Sequence, residues 1–221
     1  MRWYRSEAAR DFAVATNDGI IATAGVLQGF AGAGATSTTL LVASLSALVA
    51  GSVASFGAKY AELAAARDAE RALIAETERD ILEDASDDLD DLAAYFVERG
   101  VPVPTAREVA DHLHRHDAVG AQLEVEHGID EPTPPSRPLL GGLLNAAAVA
   151  TGSALPLLIL LAYPAAWESW AVFVAVLISL AATSMLIALS AHTSVPRALR
   201  RTLAIGLATM GLSYLAGLVV F

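Results

Sequence analysis

Two stretches of this chain, residues 139–161 and 169–191, contain no charged side chain at all. Each is longer than the roughly 20 apolar residues that a helix needs to cross a bilayer core about 30 Å thick. Three more segments, about 12–34, 39–60 and 199–221, have the length and apolar content of spans. The second is interrupted only by Lys59 near its end, from where a lysine can snorkel to the interface. Trp167 and Trp170 flank the start of the fourth, as interfacial aromatics do.

Over the whole sequence 55% of residues are hydrophobic, yet 17% are charged. The two figures fit together only if the charge is segregated. Residues 62–131 hold 20 of the 24 acidic residues and 6 of the 14 basic ones, a balance of −14. The expected architecture is an all-α membrane protein, with five transmembrane helices and an acidic three-helix insertion between spans two and three. It divides into residues 1–61 (the first two spans), 62–131 (the acidic helical domain) and 132–221 (the last three spans). The chain has no cysteine, which excludes disulfides and thiolate metal sites. MRWYRSEAARDF at the amino terminus lacks the pattern of a cleavable signal, so the first span is expected to be retained.

Basic residues orient the spans. With a cytoplasmic amino terminus, all 14 lysines and arginines fall on the cytoplasmic side and the opposite loops have none. The acidic insertion is then cytoplasmic as well.

The first span carries a carboxylate, in ATNDGIIATAG. A helix starting at Asp18 would leave about 25 Å before the polar run Thr36-Ser37-Thr38, too short to cross. Starting at Phe12 it is long enough, and Asp18 then lies roughly 9 Å inside the cytoplasmic edge. An ionisable group at that depth faces a cavity, a partner or an ion by default, which suggests a cation ligand or proton carrier. The plainer alternative is a helix cap or re-entrant turn, with Gly19 permitting the bend. Asn17 is its neighbour, Gln28 follows in the same span, Ser52 and Ser55 lie in span two, and Asn145 in span three. Gly25-xxx-Gly29 with Gly32 would let helices approach closely.

In the insertion, span two is expected to continue as a helix over 62–84. Glu76, Asp80, Glu83, Asp84 and Asp87 follow at helical steps and form one carboxylate stripe if the helix runs that far. Ser86 is placed to cap a second helix with an apolar face of Leu89, Leu92 and Phe96, ended by Gly100. Thr105 with Glu108 makes a capping box for a third helix, 106–127, closed by Gly128. Such a stripe is most often a solvated face. The sharper reading is divalent cations, which take several carboxylate oxygens, with imidazole added for iron or manganese. His112 and His116 offer it at i,i+4, although alternate histidines in DHLHRH do not share a face.

NDGIIATAGVLQGFAGAG, a second span ending at Tyr60, a charged three-helix insertion ending LEVEHGID, Gly152-Ser-Ala-Leu-Pro156-Leu, and a closing span with Gly206, Tyr214 and Gly217 together resemble the vacuolar iron transporter family. The resemblance covers nearly the whole chain, in order. It implies a homodimer of five-span subunits that moves iron(II) or related divalent ions at the subunit interface in exchange for protons, with a glutamate-rich cytoplasmic domain collecting metal. Asp18 matches the family's membrane aspartate, and Glu70 and Glu76 lie in the region of its first-helix ligands. Asp87 and Asp90, or their neighbours Asp88 and Asp91, match the carboxylates before the second helix, and Glu126 matches the glutamate before Gly-Ile-Asp. The departures are Ser55 in place of a methionine, Ala58-Lys59-Tyr60 in place of Gly-Glu-Tyr, and Gln122-Leu123 in place of a methionine pair. Losing the soft thioether weakens the preference for a borderline metal, and Lys59 puts a positive charge where a carboxylate would attract cations. Both point to a divergent substrate, manganese for example, or to a weakened transporter.

The expected function is export of iron(II) and/or manganese(II) from the cytoplasm by proton antiport. The pathway residues would be Asp18, Asn17, Gln28 and Ser55, and the metal ligands Asp18, Glu70, Glu76, Asp80, Asp87, Asp90 and Glu126. The alternative is a membrane-anchored metal-binding or regulatory protein without transport. No nucleophile–base constellation or phosphate loop points to an enzyme. The expected partners are metal ions, protons, lipid and a second copy of the chain, with no prosthetic group and no nucleic acid. The location would be the cell membrane in a prokaryote and a vacuole-type membrane in a eukaryote.

Overall fold

A computed structural model describes residues 7–83, 85–129, 131–162, 168–190 and 193–220, and all regular structure among them is helical. The helices are α1 (Glu7–Gly32), α2 (Ser37–Glu83), α3 (Ala85–Glu98), α4 (Val103–Gln122) with a π-helical turn (Leu123–His127), α5 (Arg137–Ala162), α6 (Glu168–Ser190) and α7 (Val195–Val220). They fall into two compact units, residues 1–60 with 138–221, and residues 61–137. Asp84 and Trp167 lie outside the described residues.

Among the described residues four helices, α2, α5, α6 and α7, are long and apolar enough to cross a membrane. The remaining expected span, α1, has the length at 26 residues but is not among the four. Asn17, Asp18 and Gln28 dilute its apolar character. α2 continues unbroken for 47 residues, about 70 Å. Past Gly57 it contains no glycine or proline and is dominated by alanine, glutamate, arginine and leucine, which are strong helix formers.

In the first unit, Ile20, Ala24 and Leu27 of α1 meet Val172, Val176 and Leu180 of α6 and Met210 of α7. Helices in lipid gain no hydrophobic drive from pairing, so close contact must hold them. α1 and α7 cross almost backbone to backbone. A Cβ on Gly217 would collide with the Gly29 carbonyl and stand 2.9 Å from the Ala33 nitrogen. Gly25 and Gly29 lie against Thr209 and Ser213 of α7, so the GxxxG pattern serves a crossing within the chain.

In the second unit, Leu92 and Ala93 of α3 pack on Ala110 and Ala121 of α4, with Leu89, Phe96 and Val125 around them. This is the apolar face expected from the sequence. The described part of α3 runs from Ala85, and the Ser86 side chain lies outside the described residues. The capping box needs correcting. α4 begins at Val103 behind Pro102, with Pro104 in its first turn and no side chain capping it. Proline suits that turn because its missing N–H would have had no partner there, so the helix starts ahead of Thr105 and Glu108. The same helix breaks at Asp117 (φ −157°, ψ 89°), whose Oδ1 accepts the Gly120 N–H at 2.9 Å and restarts it. Gly128, at φ +66°, closes the π turn in the left-handed conformation.

The proline-rich segment 131–136 is tied to α2 through one residue. Thr133 donates its N–H to Glu70 Oε1 at 2.6 Å and its hydroxyl to Oε2 at 2.5 Å, and Arg67 Nε donates to its carbonyl at 3.2 Å. These two bonds from Thr133, with Arg137 and Arg67 nearby, hold the Glu70 carboxyl below the usual carboxylate range. A carboxyl depressed by folding contributes stability at neutral pH and loses it as pH falls through its lowered value. Thr133→Val should therefore lower the hydrogen-exchange protection factor of the residue-133 amide about fivefold to tenfold at pH 7. The unmodified chain should show the same loss only on acidification below the ordinary carboxylate range. Equal protection in both chains at both pH values would show that the clasp holds nothing.

Candidate functional site

Along α1, Asp11, Val14, Asp18, Ala22 and Phe30 are exposed and recur at steps of three, four or eight, on one side of the helix. Ala15, Asn17, Ile20, Ala24, Leu27 and Gln28 are buried. Asp18 therefore stands on the open stripe, whereas Asn17 and Gln28, its expected polar company, point inward. The structure places these three polar groups on two faces of the helix and gathers no single cluster from them.

The neighbours of Asp18 are each fixed to a different helix. Asn17, 6% exposed, accepts a hydrogen bond through Oδ1 from the Thr183 hydroxyl of α6. That hydroxyl also lies 2.8 Å from the Ser179 carbonyl of its own helix. On the other side, the Gly19 carbonyl accepts from the buried Ser153 hydroxyl of α5 at 3.2 Å. A Cβ on Gly19 would collide with the Val149 carbonyl, and one on Gly152 would collide with the Thr16 carbonyl. Only glycines allow α1 and α5 to cross this closely. Thr23 of α1 and Ser184 of α6 are also buried, and their hydroxyls have no hydrogen-bond partner among the described residues. The two helices thus hold more buried polarity than apolar packing would select.

Ser55, expected on the pathway, is joined to α5: Asn145 Nδ2 donates to its Oγ at 2.6 Å and to its carbonyl at 3.2 Å. Next to Ser55 on α2, Phe56 stacks on Tyr60 one turn further on, with ring centroids 5.9 Å apart.

The proposed metal ligands of the insertion are dispersed. Glu70 is occupied by Thr133 as described, and Glu76 and Asp80 are exposed on α2. Asp90, on α3, stands 3.7 Å from Arg107 Nη2. The described part of α2 runs to Glu83 and carries Glu76, Asp80 and Glu83 of the stripe, and Asp87 lies on α3. The side chains of Asp87 and Glu126 lie outside the described residues. Among the described residues, no group of three or more histidine, aspartate or glutamate side chains stands close enough to hold a metal ion. His112 and His116 are exposed on α4. Between them Arg115 closes an i,i+4 ion pair with Asp111, Nη2 to Oδ2 at 2.5 Å.

Sequence reasoning missed Thr183, Ser153 and Thr133. The first pair had a faint signal, since hydroxyls in a charge-free span need a partner or bond back to their own helix. Thr133 had none: a threonine among prolines reads as linker.

The chain matches the VIT family over residues 9–218. It is 31% identical over 128 residues to a protein of Acanthamoeba castellanii described as a vacuolar iron transporter, covering 58% of this chain and 49% of that protein. The chain thus spans about half the length of the curated relative it matches.

Proposed function

Because this chain belongs to the VIT family, we propose that it is a membrane transporter of divalent metal cations, with iron(II) and manganese(II) as the substrate candidates. It exports them from the cytoplasm in exchange for protons and works as a homodimer of five-span subunits, α1 serving as the first span. The amino terminus and the acidic unit face the cytoplasm, as the placement of all 14 basic residues favours. The membrane is the cell membrane in a prokaryote or a vacuole-type membrane in a eukaryote.

One observation carries the reading. Asp18 is a carboxylate on the open face of a helix whose other faces are packed against α5, α6 and α7. A charge in such a segment is costly unless it meets a cation, a partner or water. A second copy of the chain facing that stripe would enclose it and give the ion a lined path. Asn17 and Gln28, turned inward on α1 itself, and Ser55 on α2 are the further polar residues assigned to the pathway. The insertion acts as a collector: its balance of −14 raises the local concentration of cations. Glu70, Glu76, Asp80, Asp87, Asp90 and Glu126 are the carboxylates assigned to it. Among the described side chains no three stand close enough to hold an ion, which fits rapid, weak capture better than a preformed cage.

The test is metal uptake by proteoliposomes under an imposed pH gradient, with a panel of iron(II), manganese(II), cobalt(II), zinc(II) and calcium(II). Uptake of iron or manganese that collapses when the gradient is removed supports antiport. Absence of flux for every ion, with metal still bound by the chain, would favour a membrane-anchored binding protein.

A further inference from the structure

We propose that Thr183 is a positioning residue for the pathway: by holding Asn17 it sets the rotation of α1 and keeps Asp18 on the open face. This rests on the transport reading for its purpose but not for its geometry. Successive residues of a helix point about 100° apart. Asn17 points to α6 and Gly19 lies against α5, so Asp18 between them is turned away from both. The Gly19–Gly152 crossing fixes how near α1 and α5 lie, but glycines offer no side chain to resist rolling. The bond from Thr183 to the buried Asn17 amide supplies that resistance. The Ser179 and Leu180 carbonyls of its own helix, 2.8 and 3.3 Å from the same hydroxyl, are competing acceptors for its single proton, and Asn17 is the acceptor that lies across the helix crossing. If α1 rolled by a few tens of degrees, Asp18 would leave the open stripe and Asn17 would lose its partner in an apolar surround, an outcome that surround disfavours.

The absence of cysteine allows a direct readout. In the full chain, Asp18→Cys becomes the sole thiol, and its reaction with a membrane-impermeant methanethiosulfonate in proteoliposomes reports how open the position is. Adding Thr183→Val should slow labelling about fivefold or more, and Thr183→Ser should restore it to within about twofold, the range expected when one interhelical hydrogen bond is lost and regained. Thr183→Ala, which is smaller and crowds nothing, gives the same comparison if the valine variant folds poorly. With Asp18 intact, Thr183→Val should raise KM for the metal about tenfold with kcat little changed, while Thr183→Ser leaves KM alone. A merely structural threonine would alter melting but neither the labelling rate nor KM.

Labelling and KM that ignore Thr183→Val and Thr183→Ala in folded protein overturn the proposal. So does an Asp18→Cys thiol that never reacts, since there is then no open face to hold. The transport reading stands or falls separately. Labelling that responds to Thr183 in a chain without flux would sink transport and keep the positioning. Normal flux with unresponsive labelling would do the reverse.

Discussion

Replacing Asp18 with alanine is expected to lower metal flux about a thousandfold while leaving the protein as stable as before, or slightly more so. The two effects have different origins. A carboxylate about 4 Å from a cation contributes about 4 kcal/mol per unit charge at an effective dielectric constant of 20, roughly three decades in rate or affinity. Among the described residues Asp18 has no hydrogen bond or ion pair that its removal would break. A carboxylate in a membrane segment is itself unfavourable, so its loss relieves the fold. Asp18→Asn should behave like alanine, and Asp18→Glu should retain part of the flux. The measurement is initial uptake in proteoliposomes, with the melting temperature of the same preparations in parallel. Flux equal to the unsubstituted protein would remove Asp18 from the pathway, and flux lost together with folding would leave its role in the fold as the explanation.

Asp18 also shows how far the sequence could be read. A helix through residue 18 followed from length and apolar content, and α1 runs over Glu7–Gly32 with Asp18 in its interior, where the alternative was a cap or a turn. Which way the side chain faces was not legible. The burial of Asn17 and Gln28 against the exposure of Asp18 depends on where α5, α6 and α7 lie, which one helix's periodicity does not encode. The same divide runs through the insertion. Leu89, Leu92 and Phe96 announced the α3 face by spacing alone, since a 3.6-residue repeat is local information. The start of α4 was misplaced because Pro104 and a capping box competed for it, and propensity does not rank the two. Glu70 was read as one more carboxylate in an acidic helix. Its partner is 63 residues away in a proline-rich segment, beyond the reach of any local pattern.

The largest stability effect should come from Gly152→Leu. In the first span the eye is drawn to Asp18, but the crossing that holds α1 in place depends on what α5 lacks. Any Cβ at residue 152 would overlap the Thr16 carbonyl and stand 3.1 Å from the Ile20 nitrogen, both backbone atoms of a helix already bonded to itself. Neither can move aside without unwinding α1, so the helices must separate. Separation opens the packing around Ala15, Ala148 and Val149 and pulls Gly19 off Ser153. Overpacking of this kind destabilises by about 3 kcal/mol or more, equivalent to a fall of roughly 6–12 °C in melting temperature for a chain of this size. Gly211 provides the control, since a Cβ there meets nothing within 4 Å. Gly211→Ala should raise the melting temperature by about 2–4 °C through helix propensity alone. Size-exclusion profiles of detergent-solubilised protein after graded heating would measure both. If the two variants melted alike, α1 and α5 would not cross at Gly152, and the account of how Asp18 comes to face outward would fail with that crossing.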